Sequence, residues 1–260
     1  TRLSGDETFY ASASARIAQY LLNIQTESRE EFSELVRRYV VFRGWHMPGM
    51  SLLLVPIQLA VRGSSSLIAL RVYVSVLNSV LIWLIAQKVW ELTRSPYRVG
   101  LFLGLLFLSP YYHYFRSMLW ADLIAAHLAL YFILCAEQLL IDSNDNTRPL
   151  RSLRRFSSLG LLGLILVYLR PQYIIMPVVL LVRIFVYLLP ATSVRRREGR
   201  GVVYGALVTC SIILLGLLPW SALVSHEYGF TLLVTTIDEK PLTGNDDFVS
   251  AAQSQTGHNN

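Results

Sequence analysis

Apolar blocks at 67–90, 99–111, 118–141, 156–170, 172–190 and 202–224 constrain this chain more than any other feature of its sequence. A helix needs roughly 20 apolar residues to cross the hydrocarbon layer of a bilayer. A water-soluble fold would expose such blocks or need a far larger core. The composition agrees, with 53% hydrophobic and 15% charged residues, against about 25% charged in an ordinary soluble domain. The expected fold is all-α, a polytopic transmembrane helical bundle forming a single transmembrane domain over 1–260. The blocks 99–111 and 156–170 are short for full spans, so local thinning or burial in the bundle must accommodate them.

The segment 1–48 is polar and reads as a first outer loop built of amphipathic helices. Phe9, Ala13, Ile17, Tyr20 and Ile24 recur at helical spacing, and a second helix is expected at about 30–40, after Glu27, Glu30 and Glu31. Such moderate apolar faces suit helices lying on a membrane surface. Ser4 and Glu7 have the spacing of a capping box, and Asp6 is a second capping candidate. The apolar stretch 49–62 is too short for an easy crossing and reads as interfacial or re-entrant. The segment 225–260 reads as a polar outer tail. The chain opens on Thr1 without a Met or a leader, so it is expected to be a piece of a longer protein with a further span before Thr1.

Basic loops set the expected orientation, because short Arg- and Lys-rich loops stay in the cytoplasm. Three qualify: 88–98, 148–155 with Arg148, Arg151, Arg154 and Arg155, and 195–200 with Arg195, Arg196, Arg197 and Arg200. An even number of crossings must separate loops on one side. The hairpin 99–141 therefore turns outside near 110–117, and 156–190 turns outside at Arg170-Pro171. The net charge of +6 is thus a membrane-topology signal and not a nucleic-acid footprint. Only Lys88 and Lys240 are lysines among the 23 basic residues, an Arg bias of the kind seen in GC-rich genomes, which points to a bacterial inner membrane; the endoplasmic reticulum is the alternative. Cys135 and Cys210 lie inside apolar blocks and read as small buried hydrophobes.

This topology gathers the costly polar groups on the outer face: Asp6, Glu7, His46 in Trp45-His46-Met47-Pro48, His113, Arg116, Asp122 and Arg170. A charged side chain at membrane depth costs at least about 2.5 kcal/mol, so it faces a wet cavity or a partner. Structural roles stand beside functional ones. Asp6 and Glu7 serve equally well as a helix cap, His46 as a turn residue, Arg116 and Arg170 as snorkelling cations, and Asp122 as a salt-bridge partner of Arg116. Asn78, Glu137 and Arg183 read as structural, the last two snorkelling toward cytoplasmic ends, and Arg71 is open. Asp238-Glu239 and Asp246-Asp247 read as solvated loop acids. No P-loop, dinucleotide turn, HExxH or GxSxG is present.

Gly5-Asp6-Glu7-Thr8-Phe9-Tyr10 resembles the Asp-Glu motif in the first outer loop of GT-C type integral-membrane glycosyltransferases. The nearest group is that of the dolichyl-phosphate-mannose protein mannosyltransferases and aminoarabinose transferases. His46-Met47-Pro48 before an apolar stretch, Arg71, Leu108-Ser109-Pro110, Asp122, Leu169-Arg170-Pro171, Leu218-Pro219-Trp220, Tyr228-Gly229-Phe230 and Gly244-Asn245 follow in the order of that family's segments. The resemblance implies a polyprenyl- or dolichyl-phosphate sugar donor and a glycan, lipid or protein acceptor on the non-cytoplasmic face. It implies Asp6 as the base, Glu7 and Asp122 as orienting or polarising groups with a divalent cation left open, Arg170 and Arg116 facing the lipid phosphate, and His46 contacting a substrate. A transporter or flippase of a lipid-linked sugar, and a non-catalytic subunit of a surface-polysaccharide complex, are the competing readings.

Overall fold

The computed structural model describes residues 5–23, 29–36, 48–61, 66–116, 118–142, 149–188 and 193–228. Among them every regular element is helical and there is no strand. The helices are α1 (Gly5–Leu22), α2 (Arg29–Leu35), α3 (Gly49–Ala60), α4 (Ser66–Thr93), α5 (Pro96–Leu108), α6 (Pro110–Phe115), α7 (Ala121–Asp142), α8 (Pro149–Leu169), α9 (Met176–Leu188) and α10 (Ser193–Tyr228), with a 3-10 turn at Pro171–Ile175. Among the described residues three stretches are long and apolar enough to cross a membrane: Leu67–Thr93, Ala121–Asp142 and Gly201–His226.

Prolines and caps decide where the other apolar blocks break. Ser109 is extended ahead of Pro110, as the residue before a proline tends to be. The block expected at 99–111 therefore ends as a helix at Leu108 and restarts as α6. At about 1.5 Å per residue, the 13 residues of α5 cover roughly 20 Å. Arg170 is likewise extended before Pro171. That break divides α8 from the 3-10 turn and α9 and leaves Pro171–Val186 a short apolar element.

Helix directions follow from contacts at both ends. Asn78 meets His127 and Lys88 meets Gln138, so α4 and α7 run parallel. Asp122 meets Arg170 and Asp142 meets Arg155, so α8 returns antiparallel to α7. Phe156 lies at Gly205 and Leu164 at Gly216, so α10 runs with α8. A Cβ on Gly163, Gly205 or Gly216 would collide with a side chain of the facing helix. Small residues that admit such close backbone approach are typical of helix pairs in lipid. Residues 119–122 and Arg170 thus share one end of the bundle, the polar end. Arg94, Asp142 and Arg155 lie at the other, the basic end. This alternation agrees with the parity expected from the basic loops.

Two sequence expectations change. The face of α1 does not lie open as on a membrane surface. Tyr10, Ala13, Ile17 and Ala18 are buried, and Ile17 and Ala18 share a cluster with Val55 of α3 and Leu35 of α2. Of the second helix, expected at about 30–40, the structure describes Arg29–Leu35, and 37–40 lie outside the described residues. Glu137 and Arg183 do not snorkel separately but pair across α7 and α9, with Nη2 at 2.8 Å from Oε2.

Candidate functional site

Glu7 is the most deeply buried acid among the described residues, 2% exposed in the first turn of α1. Its carboxylate accepts from Arg71 Nη2 at 3.3 and 3.5 Å and from the backbone N–H of Leu119 at 3.1 Å. A buried carboxylate survives only with a cation and donors around it, and α4 and the 116–120 linker provide both. One side chain therefore ties α1, α4 and the approach to α7 together. Asp6 shares the first turn of α1; its side chain, like all of His46, lies outside the described residues.

Asp122 stands three residues beyond Leu119, a separation of at most about 11 Å of extended chain. It occupies the first turn of α7, where the exposed N–H groups of the helix favour a carboxylate. Arg170 Nη2 donates to Asp122 Oδ2. The extended backbone that Pro171 imposes on Arg170 carries the guanidinium off the end of α8 toward α7. The structural alternative for Asp122 was a salt bridge to Arg116, six residues earlier. The structure gives that role to Arg170 and leaves the Arg116 side chain exposed.

Arg116 contributes its carbonyl instead. Asn78 Nδ2 donates to it at 3.2 Å and Ser75 Oγ at 3.4 Å. With its amide nitrogen so used, Asn78 presents Oδ1 to His127 Nδ1, 3.1 Å away, and the proton on that bond belongs to the histidine. His127 is 5% exposed, with the Tyr112 ring beside it. Its Nε2 has no hydrogen-bond partner among the described residues, nor have Arg71 Nε and Arg170 Nε. Sequence reasoning passed over His127, although an ionisable residue inside an apolar block is itself a functional signal.

The polar end therefore holds two guanidinium–carboxylate pairs and a buried amide–imidazole pair, drawn from α1, α4, α7 and the end of α8. Two rigid guanidinium forks that keep unused N–H donors can bind anionic oxygens. A shallow groove of about 580 Å³ runs from Arg71 down α4 over Val72, Val76, Val80 and Trp83. Among the described residues no three His, Cys, Asp or Glu side chains converge as metal ligands. His113, expected in an outer loop, is exposed and contacts the Phe107 carbonyl across the α5–α6 break. Compared with family models, with curated proteins and with solved structures, the chain matches none.

Proposed function

We propose that this protein is a multi-pass membrane glycosyltransferase that moves a sugar from a polyprenyl- or dolichyl-phosphate donor to an acceptor hydroxyl. In this reading the polar end faces the non-cytoplasmic side and the Arg-rich basic end faces the cytoplasm, in keeping with the positive-inside rule. One observation carries it: the acidic start of α1, Arg71, Asp122 and Arg170 converge at one end of an all-helical bundle, beside an apolar groove headed by Arg71.

The chemistry requires such a mixture. The acceptor oxygen attacks the anomeric carbon while the bond from that carbon to the phosphate oxygen breaks. The acceptor proton passes to a carboxylate, for which Asp6 is the candidate. The phosphate leaves with the bonding electrons, and nearby guanidinium groups stabilise its growing charge. Arg71 and Arg170 stay partly exposed, 27% and 19%, and a guanidinium has more N–H donors than one carboxylate pair uses; exposed Arg116 adds a third cation at the rim. Glu7, committed to Arg71 and Leu119, acts as a positioning residue, and Asp122 orients Arg170. His46 is the candidate for a further substrate contact.

The test is release of radiolabelled sugar from a polyprenyl-phosphate donor in membranes containing the full-length protein, the Asp6→Asn variant or the Asp122→Asn variant. Transfer that collapses in Asp6→Asn, with expression and insertion intact, supports the reading. A protein that moves the lipid-linked sugar across the bilayer without cleaving it is a transporter, one that neither moves nor cleaves it is a non-catalytic subunit, and cleavage indifferent to Asp6 keeps the enzyme but overturns this active site.

A further inference from the structure

At the opposite end of the bundle, about 870 Å³ of open space lies between α4, α7 and α8. The volume falls in the range of small-molecule sites, roughly 300–1,000 Å³, and none of its residues belongs to the polar end. Its charged wall holds Lys88, Arg94 and Arg155 against Glu91 and Asp142. Lys88 Nζ bonds Glu91 at 2.7 Å and Gln138 at 2.6 Å, and Arg155 Nη1 bonds Asp142 at 2.5 Å. These pairs cancel and Arg94 is the surplus charge, so the cavity carries a net charge of +1. Beside the polar Gln87, Gln138 and Ser158, the rest of the wall is apolar, including Trp90 and Ile141, which are also open to the surroundings of the bundle.

We propose that this cavity binds the headgroup of an anionic phospholipid whose phosphodiester carries a single negative charge. Phosphatidylglycerol is the simplest such lipid. The phosphodiester sits against Arg94 and completes the charge balance. The amides of Gln87 and Gln138 and the Ser158 hydroxyl face the headgroup hydroxyls, and Trp90 and Ile141 pack on the glycerol and the first acyl methylenes. Basic pockets between helix ends on the cytoplasmic side suit lipid phosphates generally. The apolar wall favours a lipid over a free phosphate ion, which has nothing to place there. Arg94 is the one described non-glycine residue with a left-handed backbone, φ 50°, at the end of α4, where glycine is the usual occupant. The proposal rests on α4 and α7 crossing the membrane and is independent of the chemistry assigned to the polar end.

The full-length protein, reconstituted in phosphatidylcholine nanodiscs with and without about one-fifth phosphatidylglycerol, is examined for co-purifying lipid by native mass spectrometry. Enrichment of phosphatidylglycerol is expected. Arg94→Gly relieves the left-handed backbone, so the fold is expected to be retained, while bound phosphatidylglycerol falls about fivefold, the worth of one cation at a lipid surface. Arg154→Gln, on the exposed face of α8 outside the cavity, is expected to leave retention unchanged. Equal losses in the two variants, no enrichment, full competition by millimolar inorganic phosphate, or failure of the protein to enter the bilayer would each overturn the proposal.

Discussion

The Glu7 carboxylate accepts the backbone N–H of Leu119 at 3.1 Å, across 112 residues of sequence. That bond, with the Arg71 pair, fixes the linker leading into α7 and so sets where Asp122 begins its helix. Glu7→Ala would leave the Arg71 guanidinium without its counter-charge and the Leu119 N–H without its acceptor. Arg71 keeps some solvent contact, 27%, which moderates the loss to about 2–3 kcal/mol. Glu7→Gln retains an acceptor for Leu119 and is expected to lose less than half of that. Unfolding in detergent of both variants, of Arg71→Met and of Glu7→Ala/Arg71→Met, the Ala and Met variants read as a double-mutant cycle, measures the coupling; additive single effects would dissolve the assigned pair.

Asn78 is expected to position the Arg116–Trp120 linker. Asn78→Leu removes the bonds to the Arg116 carbonyl and to His127. Polar contacts between membrane helices contribute about 0.6 kcal/mol on average and up to about 1.7, so a destabilisation of about 1–2 kcal/mol is expected. Transfer activity should fall further than this loss of folded protein explains, because the linker carries the geometry of Asp122. Activity that merely tracks the folded fraction would reduce Asn78 to a packing residue.

Asp122 and Arg170 should separate stability from function. Asp122 is about half exposed, and an ion pair with one solvated partner contributes at most about 1 kcal/mol. Asp122→Asn and Arg170→Gln should therefore unfold within about 1 kcal/mol of the parent while lowering sugar transfer more than about tenfold, the rate effect of about 1.4 kcal/mol in the barrier. Parallel thermal unfolding and transfer rates decide it, and retained activity in Arg170→Gln would remove the guanidinium from the reaction.

Glycines supply a control on helix packing. A Cβ at Gly49 would collide with the backbone of Tyr168 and Leu169 at the end of α8, where no flexible side chain can yield. Gly49→Ala is expected to cost about 1–3 kcal/mol and to displace the start of α3 from the polar end. Gly100 and Gly104 of α5 meet nothing within 4 Å, and alanine there is expected to be neutral or to stabilise by up to about 1 kcal/mol. Side-by-side unfolding of the three variants tests both statements.

The sequence by itself determined that the chain is helical, which stretches are apolar and which basic segments share an end; 149–155, 195–200 and 110–115, which read as loops, instead belong to α8, α10 and α6. Hydropathy and the residue before proline are local properties, so the turn at Arg170-Pro171 was legible without a structure; Pro110 carried the same signal, but the apolar block was expected to run on to 111. The gathering of Glu7, Asp122 and Arg170 at one end followed from loop charge and parity. Tertiary structure alone decided the partners. Arg71, Ser75 and Asn78 recur on α4 at i, i+4 and i+7, a spacing that puts them on one face, but the spacing does not say which elements that face meets. The rotation of α4 comes from packing on α3, α5 and α7, and it brings Arg71 to Glu7 across 64 residues and Asn78 to His127 across 49. For Asp122 the sequence offered a salt bridge to Arg116 only as the structural alternative to a functional role. The end of α8, folded back beside α7, delivers Arg170 instead, since the partner of a charge is set by which helix end packs against it and not by chain distance.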